Sequence, residues 1–186
     1  KKQEEKKIKQ VSLNDWYNNQ SKVKLSGLKF VSAGSGFAIN NKGYFLTNRH
    51  VIEYCPILVI GYNNYLNYGK VIKKSGTMDA ALLQAESSTP YFVYFDPNSY
   101  KVGEKLFAAG FPAIVEATTE DFLMSLTEGN ITNSKIIETD KDKLMLVSIP
   151  ISSGNSGGPV INRYGLLRGM STGGYDENKI KKDIFN

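Results

Sequence analysis

The sequence predicts an all-β protein made of two packed β-barrels. Glycine, tyrosine and phenylalanine are plentiful, at 17, 11 and 9 of 186 residues, and the apolar runs are short. Aromatic residues favour strands, and short apolar runs bounded by turn residues are typical of β proteins. Two sets of such runs are joined by one linker at residues 86–100, which contains Pro90 and the turn-forming segment Asp96-Pro97-Asn98. Two similar sets of strands joined by one linker indicate two barrels that pack together.

The first 27 residues have a different composition and are expected to form a basic tail followed by a short helix. Residues 1–10 carry five lysines against two glutamates, so much of the net charge of +5 lies in this tail. Ser12 is the candidate cap of the helix. Trp16 would either anchor the segment on the body of the protein or pack against another subunit, which leaves a homo-oligomer as an open alternative. The basic residues do not cluster beside a helix or strand that could contact nucleic-acid bases, so we expect no nucleic-acid partner.

The first barrel is expected at about residues 28–88 and the second at about residues 101–186. Strands of the first barrel are predicted at about residues 35–39, 44–47, 57–61, 66–73 and 79–84. Strands of the second barrel are predicted at about residues 104–109, 122–126, 129–137, 144–149, 158–162 and 166–171. Turn residues separate the strands, as in the Asn-Asn-Lys-Gly sequence at residues 40–43, because such residues tolerate the backbone angles of tight turns.

The composition excludes several classes of protein. No run of about 18 apolar residues occurs, so no membrane span is expected. One histidine and one cysteine are too few for a usual zinc site, and we expect neither a metal nor another cofactor. Cys55 cannot form an internal disulfide and is interpreted as a small buried apolar residue. A chain without disulfides is either intracellular or a bacterial-style exported protein, and we favour an exported location, periplasmic or secreted, over the cytoplasm.

Ser156 is the candidate nucleophile. It lies in the sequence Gly-Asn-Ser-Gly-Gly-Pro at residues 154–159, where the flanking glycines leave its hydroxyl exposed. A serine hydroxyl needs a neighbouring base, usually histidine, and the base needs a carboxylate that fixes its tautomer. His50 is the only histidine, and Asp79 stands at the start of a predicted apolar strand. The backbone N–H groups of Gly154 and Ser156 are the candidate oxyanion hole, because glycine allows such groups to converge on one point.

The segment at residues 154–159 resembles the nucleophile motif of chymotrypsin-fold serine peptidases, and its asparagine makes it most similar to the HtrA/Deg branch. Residues 47–51, Thr-Asn-Arg-His-Val, are similar to the Thr-x-x-His-Val segment of that branch, and residues 34–37 match its Gly-Ser-Gly-Phe. Residues 79–83, Asp-Ala-Ala-Leu-Leu, resemble its Asp-Leu-Ala-Leu-Leu. The resemblance covers about residues 30–174. The resemblance is to the protease domain, and no PDZ domain is expected, although many HtrA proteins carry one.

The resemblance implies a trypsin-like peptidase domain with two six-stranded antiparallel β-barrels and an active site in the cleft between them. It implies a serine endopeptidase that hydrolyses polypeptide substrates through an acyl-enzyme. Ser156 would be the nucleophile, His50 the base and Asp79 the residue that orients the base. Because all three residue types of the triad are present, an active endopeptidase is favoured over the alternative, a catalytically silent peptide-binding or chaperone module on the same fold.

The resemblance also implies a substrate cleft. Pro150, six residues before the nucleophile, would occupy the base of the specificity pocket, and Ile151 would narrow it. We therefore expect cleavage after small or medium apolar residues, since a charged side chain would be buried there without a partner. Ser171, Thr172 and Gly173 would belong to a wall of the cleft that pairs with the peptide backbone. Ser171 is also expected to donate a hydrogen bond to the carboxylate of Asp79.

Overall fold

The structure is a computed structural model that describes residues 31–62, 65–111, 124–138 and 143–172. Within these ranges it contains ten strands and a single turn of 3-10 helix at His50–Ile52, which confirms the all-β prediction. The tail and helix predicted within residues 1–27, and the predicted site residue Gly173, lie outside the described residues. The limits of the two halves of the chain stay predictions.

Each half of the described chain forms one antiparallel sheet of five strands. The first sheet consists of β1 (Phe37–Ala38), β2 (Tyr44–Thr47), β3 (Leu58–Tyr62), β4 (Tyr65–Lys74) and β5 (Ala81–Ala85). The second sheet consists of β6 (Lys105–Gly110), β7 (Ser125–Glu138), β8 (Lys143–Val147), β9 (Pro159–Asn162) and β10 (Leu167–Met170). The spatial orders are β1-β2-β5-β4-β3 and β10-β9-β6-β7-β8. The described residues thus give each half one strand fewer than the six that the resemblance implies.

The first sheet is packed on its own core, which also anchors the 3-10 turn. Buried and partly exposed residues alternate along β5, as expected for a strand with one face towards the core. The buried residues Ala81 and Leu83 of this strand cluster with Val51 and Ile52 of the turn. The residue before this pair, His50, is therefore held at a fixed place on the surface of the first half.

The second sheet has a separate core, which supports the prediction of two packed halves. Its fully or almost fully buried members are Leu106, Ala108, Ile131, Ile149 and Val160. Burial alternates along β6 in the same way as along β5. No buried residue is shared between the two cores of the described chain.

Strand β7 differs from the sequence prediction. Two strands were expected, at residues 122–126 and 129–137, whereas the structure has one continuous strand, Ser125–Glu138. Its first part pairs with β6, its second part pairs with β8, and the register shifts after Ile131. Gly129 lies within this strand, and a Cβ at its position would be only 2.7 Å from the backbone nitrogen of Ile149. This glycine therefore marks a close approach of two backbones and not a break between strands.

The linker between the two halves contacts both sheets. Val93 N–H donates to the carbonyl of Ala38 at 3.0 Å, and Asp96 N–H donates to the carbonyl of Leu167 at 3.0 Å. These bonds attach the linker to β1 in the first sheet and to β10 in the second. The linker predicted at residues 86–100 is thus hydrogen-bonded to both halves of the chain.

Arg168 in β10 is buried and fixes the end of this linker. Its side chain is 1% exposed. One guanidinium nitrogen, Nη2, donates to Glu104 Oε2 at 2.9 Å, and the other, Nη1, donates to the carbonyl of Asn98 at 2.7 Å and lies 3.5 Å from Asp96 Oδ2. A buried guanidinium is tolerated when its donors find partners. The linker and Glu104, directly before β6, supply acceptors to Nη1 and Nη2, whereas Nε has none among the described residues.

Candidate active site

His50 is presented by the 3-10 turn that follows β2. On one side of it, Asn48 is fully buried and its side-chain Nδ2 donates to the backbone carbonyl of Asp79 at 2.8 Å. On the other side, Val51 and Ile52 lie in the first core. The His50 side chain between these anchors is 49% exposed. The local sequence thus fixes the backbone of His50 while leaving its ring accessible.

Asp79 contacts His50 through both carboxylate oxygens. The backbone N–H of His50 donates to Oδ1 at 2.9 Å, and the ring nitrogen Nδ1 lies 2.5 Å from Oδ2. These two contacts fix the ring orientation and favour the tautomer that carries its proton on Nδ1. The lone pair of that tautomer is on Nε2, where it can accept a proton from a nucleophile.

The carboxylate of Asp79 also accepts a hydrogen bond from the second half of the chain. The donor is Thr172 Oγ1, which lies 3.1 Å from Oδ2. The sequence prediction that Ser171 would be this donor was wrong. In extended backbone, successive side chains point to opposite sides, so the hydroxyls of Ser171 and Thr172 face different partners.

The pKa of Asp79 lies below its ordinary value of 3.8. Burial is the largest single effect and raises the pKa, because it disfavours the charged carboxylate. Four other effects lower the pKa and together outweigh burial: the hydrogen bond from the His50 backbone, the hydrogen bond from its ring, the electrostatic attraction of that ring, and the hydrogen bond from the Thr172 hydroxyl. The carboxylate is therefore ionised at neutral pH and can stabilise a protonated imidazole.

Ser171 holds the loop that contains the nucleophile. Its hydroxyl Oγ lies 2.5 Å from the carbonyl oxygen of Asn155 and 3.2 Å from that of Gly158. Its backbone N–H donates to Gly158 and its carbonyl accepts from Gly157. Ser171 is 3% exposed. Thr172 and Ser171 are neighbours in the chain, so they join the His50–Asp79 pair directly to this loop.

Two glycines with positive φ shape the nucleophile loop. Gly154 has φ 92° and Gly157 has φ 87°, a region that residues with a Cβ rarely occupy. At Gly157 a Cβ would also lie 2.3 Å from the carbonyl oxygen of Ser35 and 2.3 Å from Thr47 Oγ1. The loop therefore packs against the first half of the chain with no room for a side chain at this position.

The candidate oxyanion donors are unpaired in the described part of the chain. Asn155 N–H donates to the carbonyl of Ser152 at 3.1 Å, whereas the N–H groups of Gly154 and Ser156 have no acceptor among the described residues. Two N–H groups from alternate residues of a glycine-containing loop can bind one oxygen that carries negative charge.

Ser156 itself is partly buried in this loop. Within the described residues, its hydroxyl makes no hydrogen bond to His50. The structure thus brings His50, Asp79 and Thr172 together by direct hydrogen bonds and places Ser156 in the loop that Ser171 holds.

The predicted pocket residues differ in burial. Pro150 is exposed. Ile151 is partly buried and packs against the core of the second sheet. Thr172 is partly buried and faces Asp79.

Three contacts of the site were not predicted. They involve Ser35, Asn48 and Arg49. Asn48 holds the backbone of Asp79, as described above, and Arg49 Nη1 donates to the carbonyl of Ser75 at 3.1 Å, in the turn before Asp79. Ser35 contacts the nucleophile loop. Their location in the sequence could have indicated a role in the site, because these residues belong to the segments at residues 34–37 and 47–51 that carry the family resemblance.

The described residues show neither a metal site nor a membrane-spanning helix. There, no group of three or more histidine, cysteine, aspartate and glutamate side chains is arranged to hold a metal ion. In the same part of the chain, no helix has the length and apolar character that crossing a membrane requires.

Comparisons with known proteins identify relatives of this chain. A family profile described as trypsin-like peptidase domain matches residues 34–170. A "Probable periplasmic serine endoprotease DegP-like" of Marinomonas sp. is 31% identical over 146 residues, which cover 76% of this chain and 29% of that protein. "Serine protease HTR4" of Rattus norvegicus is 28% identical over 144 residues, which cover 76% and 29%. An uncharacterized protein, y4bJ of Sinorhizobium fredii, is 33% identical over 147 residues, which cover 78% and 22%.

Among solved structures, the inactive form of a mutant of Rv3671c from M. tuberculosis H37Rv is similar with a TM-score of 0.64 and 19% identity. The similarity covers 77% of this chain and 71% of that one, and it confirms the chymotrypsin-like fold. The chain spans less than a third of the length of the curated relatives, and it matches the DegP and HtrA proteins over the protease domain only. On the strength of the profile match, this chain belongs to the trypsin-like peptidase domain family.

Proposed function

We propose that this chain is a serine endopeptidase domain that hydrolyses peptide bonds through an acyl-enzyme. The observation that carries the proposal is the His50–Asp79 pair, which Thr172 and Ser171 connect to the nucleophile loop. Two N–H groups of this loop have no acceptor among the described residues. A charged carboxylate that orients an imidazole is the arrangement that makes a serine hydroxyl nucleophilic.

In the proposed mechanism, Ser156 Oγ attacks the carbonyl carbon of the scissile bond while His50 Nε2 accepts the hydroxyl proton. The ionised carboxylate of Asp79 stabilises the resulting imidazolium and keeps Nδ1–H in place. His50 then gives the proton to the leaving amine, and the acyl-enzyme forms. A water molecule, activated by the same base, attacks the acyl-enzyme and releases the second product.

The N–H groups of Gly154 and Ser156 would bind the oxyanion that develops in both steps. Their lack of another acceptor among the described residues supports this role. Hydrogen bonds of this type act on charge that exists only in the transition state, so they lower the barrier without tightening substrate binding.

For substrates, we propose polypeptides cleaved after small or medium apolar residues. The support is Pro150 and Ile151, which offer no charge to a basic or acidic side chain. A library of fluorogenic peptides that differ only in the residue before the cleaved bond measures this preference. Dominant cleavage after arginine, lysine or glutamate would overturn it.

We also propose an exported location, supported by relatives that are named periplasmic.

A catalytically silent peptide-binding module is the alternative. The observation that favours it is the missing hydrogen bond between the Ser156 hydroxyl and His50 in the described structure. Such bonds are often long in peptidases without substrate and tighten only in the complex. The missing bond therefore does not outweigh the oriented His50–Asp79 pair.

Labelling by a fluorophosphonate probe, followed by casein hydrolysis, distinguishes the two functions. Wild type should be labelled, and Ser156→Ala should lose both labelling and turnover, by on the order of 10⁴-fold to 10⁶-fold in rate. Ser153→Ala is the matched control, because it removes an exposed hydroxyl from the same loop and should retain activity. Hydrolysis by Ser156→Ala at the wild-type rate would refute the assignment, and a folded but inert wild type would support the silent module.

A further inference from the structure

Ser35 links the first half of the chain to both residues that supply the candidate oxyanion donors. It lies two residues before β1 and is 4% exposed. Its hydroxyl donates to the carbonyl oxygen of Gly154 at 2.8 Å, and its backbone N–H donates to the carbonyl oxygen of Ser156 at 2.8 Å. One buried residue therefore holds the carbonyl of each residue whose N–H would bind the oxyanion.

The direction of the Ser35 hydroxyl proton follows from its neighbours. A serine hydroxyl has one proton to donate and two lone pairs to accept. The backbone N–H of Phe111 lies 2.8 Å from Ser35 Oγ and can only donate. The single hydroxyl proton is thus available for Gly154 O. Ser35 is fixed in turn, since its own carbonyl accepts from Thr47 Oγ1 at 2.6 Å.

This tether acts at the most adaptable point of the loop. Gly154 has φ 92°, and glycine has more accessible backbone conformations than any other residue. The Gly154 carbonyl belongs to the planar peptide unit that joins Gly154 to Asn155. Holding this carbonyl fixes the unit on one side of Gly154 and so limits rotation about the glycine, on whose other side the Gly154 N–H lies. Without the hydroxyl, the Gly154 carbonyl would lose this hydrogen bond to the first half of the chain, and the direction of the Gly154 N–H would be less constrained.

We propose that Ser35 is a positioning residue for the oxyanion hole, which aligns the N–H groups of Gly154 and Ser156 by holding their carbonyls from the other half of the chain. This inference rests on the proposed peptidase function. Ser35 touches neither the substrate nor the reacting atoms, and its effect passes through the nucleophile loop.

Replacement of Ser35 by alanine removes the hydroxyl and keeps the backbone bond to Ser156. We expect kcat per active enzyme to fall about tenfold or more, which is less than the 10²-fold to 10³-fold loss typical of removing an oxyanion donor outright. KM should stay within about threefold, because the donors act in the transition state. A peptide aldehyde, which forms a tetrahedral adduct with serine, should bind more weakly by a factor similar to the loss in kcat.

Ser87→Ala is the matched control. Ser87 lies two residues after β5 and donates one side-chain hydrogen bond, to Asn67 Oδ1 at 2.8 Å, without contact to the nucleophile loop. It should leave kcat and aldehyde affinity unchanged. If Ser35→Ala does not fold, the near-isosteric Ser35→Cys replaces it, since a thiol fills the space but donates weakly.

The outcomes separate the two proposals. An active wild type with a folded Ser35 variant whose kcat and aldehyde affinity stay within twofold of wild type would overturn the positioning role alone. A loss confined to KM would also overturn it, because that pattern indicates altered substrate binding. A wild type with neither labelling at Ser156 nor hydrolysis would overturn the proposed function and this inference with it.

Discussion

Replacing Asp79 by asparagine is the sharpest test of the proposed triad, because the structure predicts how the amide would sit. The carboxylate now accepts from the His50 backbone N–H at one oxygen and from His50 Nδ1 and Thr172 at the other. An asparagine has only one oxygen. If that oxygen keeps the backbone N–H, its NH₂ group faces Nδ1 and donates to it.

That arrangement selects the wrong tautomer of His50. With Nδ1 acting as acceptor, the ring proton is on Nε2, which can no longer accept the proton of Ser156. The opposite amide orientation would restore the tautomer but place the NH₂ group against the backbone N–H, at a cost of about 1–3 kcal/mol for the unpaired donor. Both orientations also lose the negative charge that stabilises the imidazolium.

The expected loss in kcat is on the order of 10⁴-fold, as for the same replacement in a well-studied triad, which corresponds to about 5 kcal/mol of transition-state stabilisation. The assay is kcat on a fluorogenic peptide, with circular dichroism to check the fold. Thr172→Val is the graded control, since it removes one donor and keeps the charge, and its loss should be at least 100-fold smaller. A folded Asp79→Asn enzyme with kcat within tenfold of wild type would show that another carboxylate orients the base.

Three further predictions concern stability. Gly157→Ala should lower the free energy of unfolding by more than Gly165→Ala: both have positive φ, which costs about 1–2 kcal/mol for a residue with a Cβ, but only Gly157 would also have a Cβ 2.3 Å from its neighbours. Equal losses in urea denaturation would contradict this. Arg168→Met should cost about 3–5 kcal/mol, because it leaves Glu104 without its buried partner, and a loss below 1 kcal/mol would contradict it. The stabilising contribution of the ionised Asp79, whose pKa is lowered on folding, should be present above its ordinary value of 3.8 and lost as the pH falls through the lower folded value. The difference in stability between wild type and Asp79→Asn should therefore shrink in that acidic range, and a difference that grows there would refute the sign.

The sequence predicted the strands best where apolar and polar residues alternate. Strand β2 was predicted at its observed bounds, and β5 was predicted within two residues at its start and one at its end. The prediction failed at β7, where residues 127–128 were left out as a break between two strands. An exposed strand rich in polar residues shows little alternation of apolar and polar positions, so the sequence gives few clues to its bounds. The close approach to Ile149 that requires Gly129 is a tertiary contact, which the local sequence does not reveal.

The residue types of the site could be predicted from short motifs, but their partners could not. His50 and Asp79 are 29 positions apart, and their pairing was predicted from the family resemblance and not from spacing. The choice between Ser171 and Thr172 as the donor to Asp79 depends on a register of one residue, which short motifs do not determine. Ser35 was named only as part of a strand and of the motif at residues 34–37, because the partners of its hydroxyl lie more than 70 positions away.

The contacts that assemble the site cross between the two halves of the chain, and this makes activity more sensitive than stability. Thr172 reaches Asp79, and Ser35 reaches Gly154 and Ser156. Each such hydrogen bond contributes about 1 kcal/mol to folding, a small part of the 5–15 kcal/mol that is typical of a whole domain. A displacement of about 1 Å in a catalytic group, by contrast, can cost on the order of 100-fold in rate. Substitutions at this junction should therefore lower kcat well before they unfold the protein. A series of junction variants in which kcat and the free energy of unfolding fell in strict proportion would contradict this view of the site.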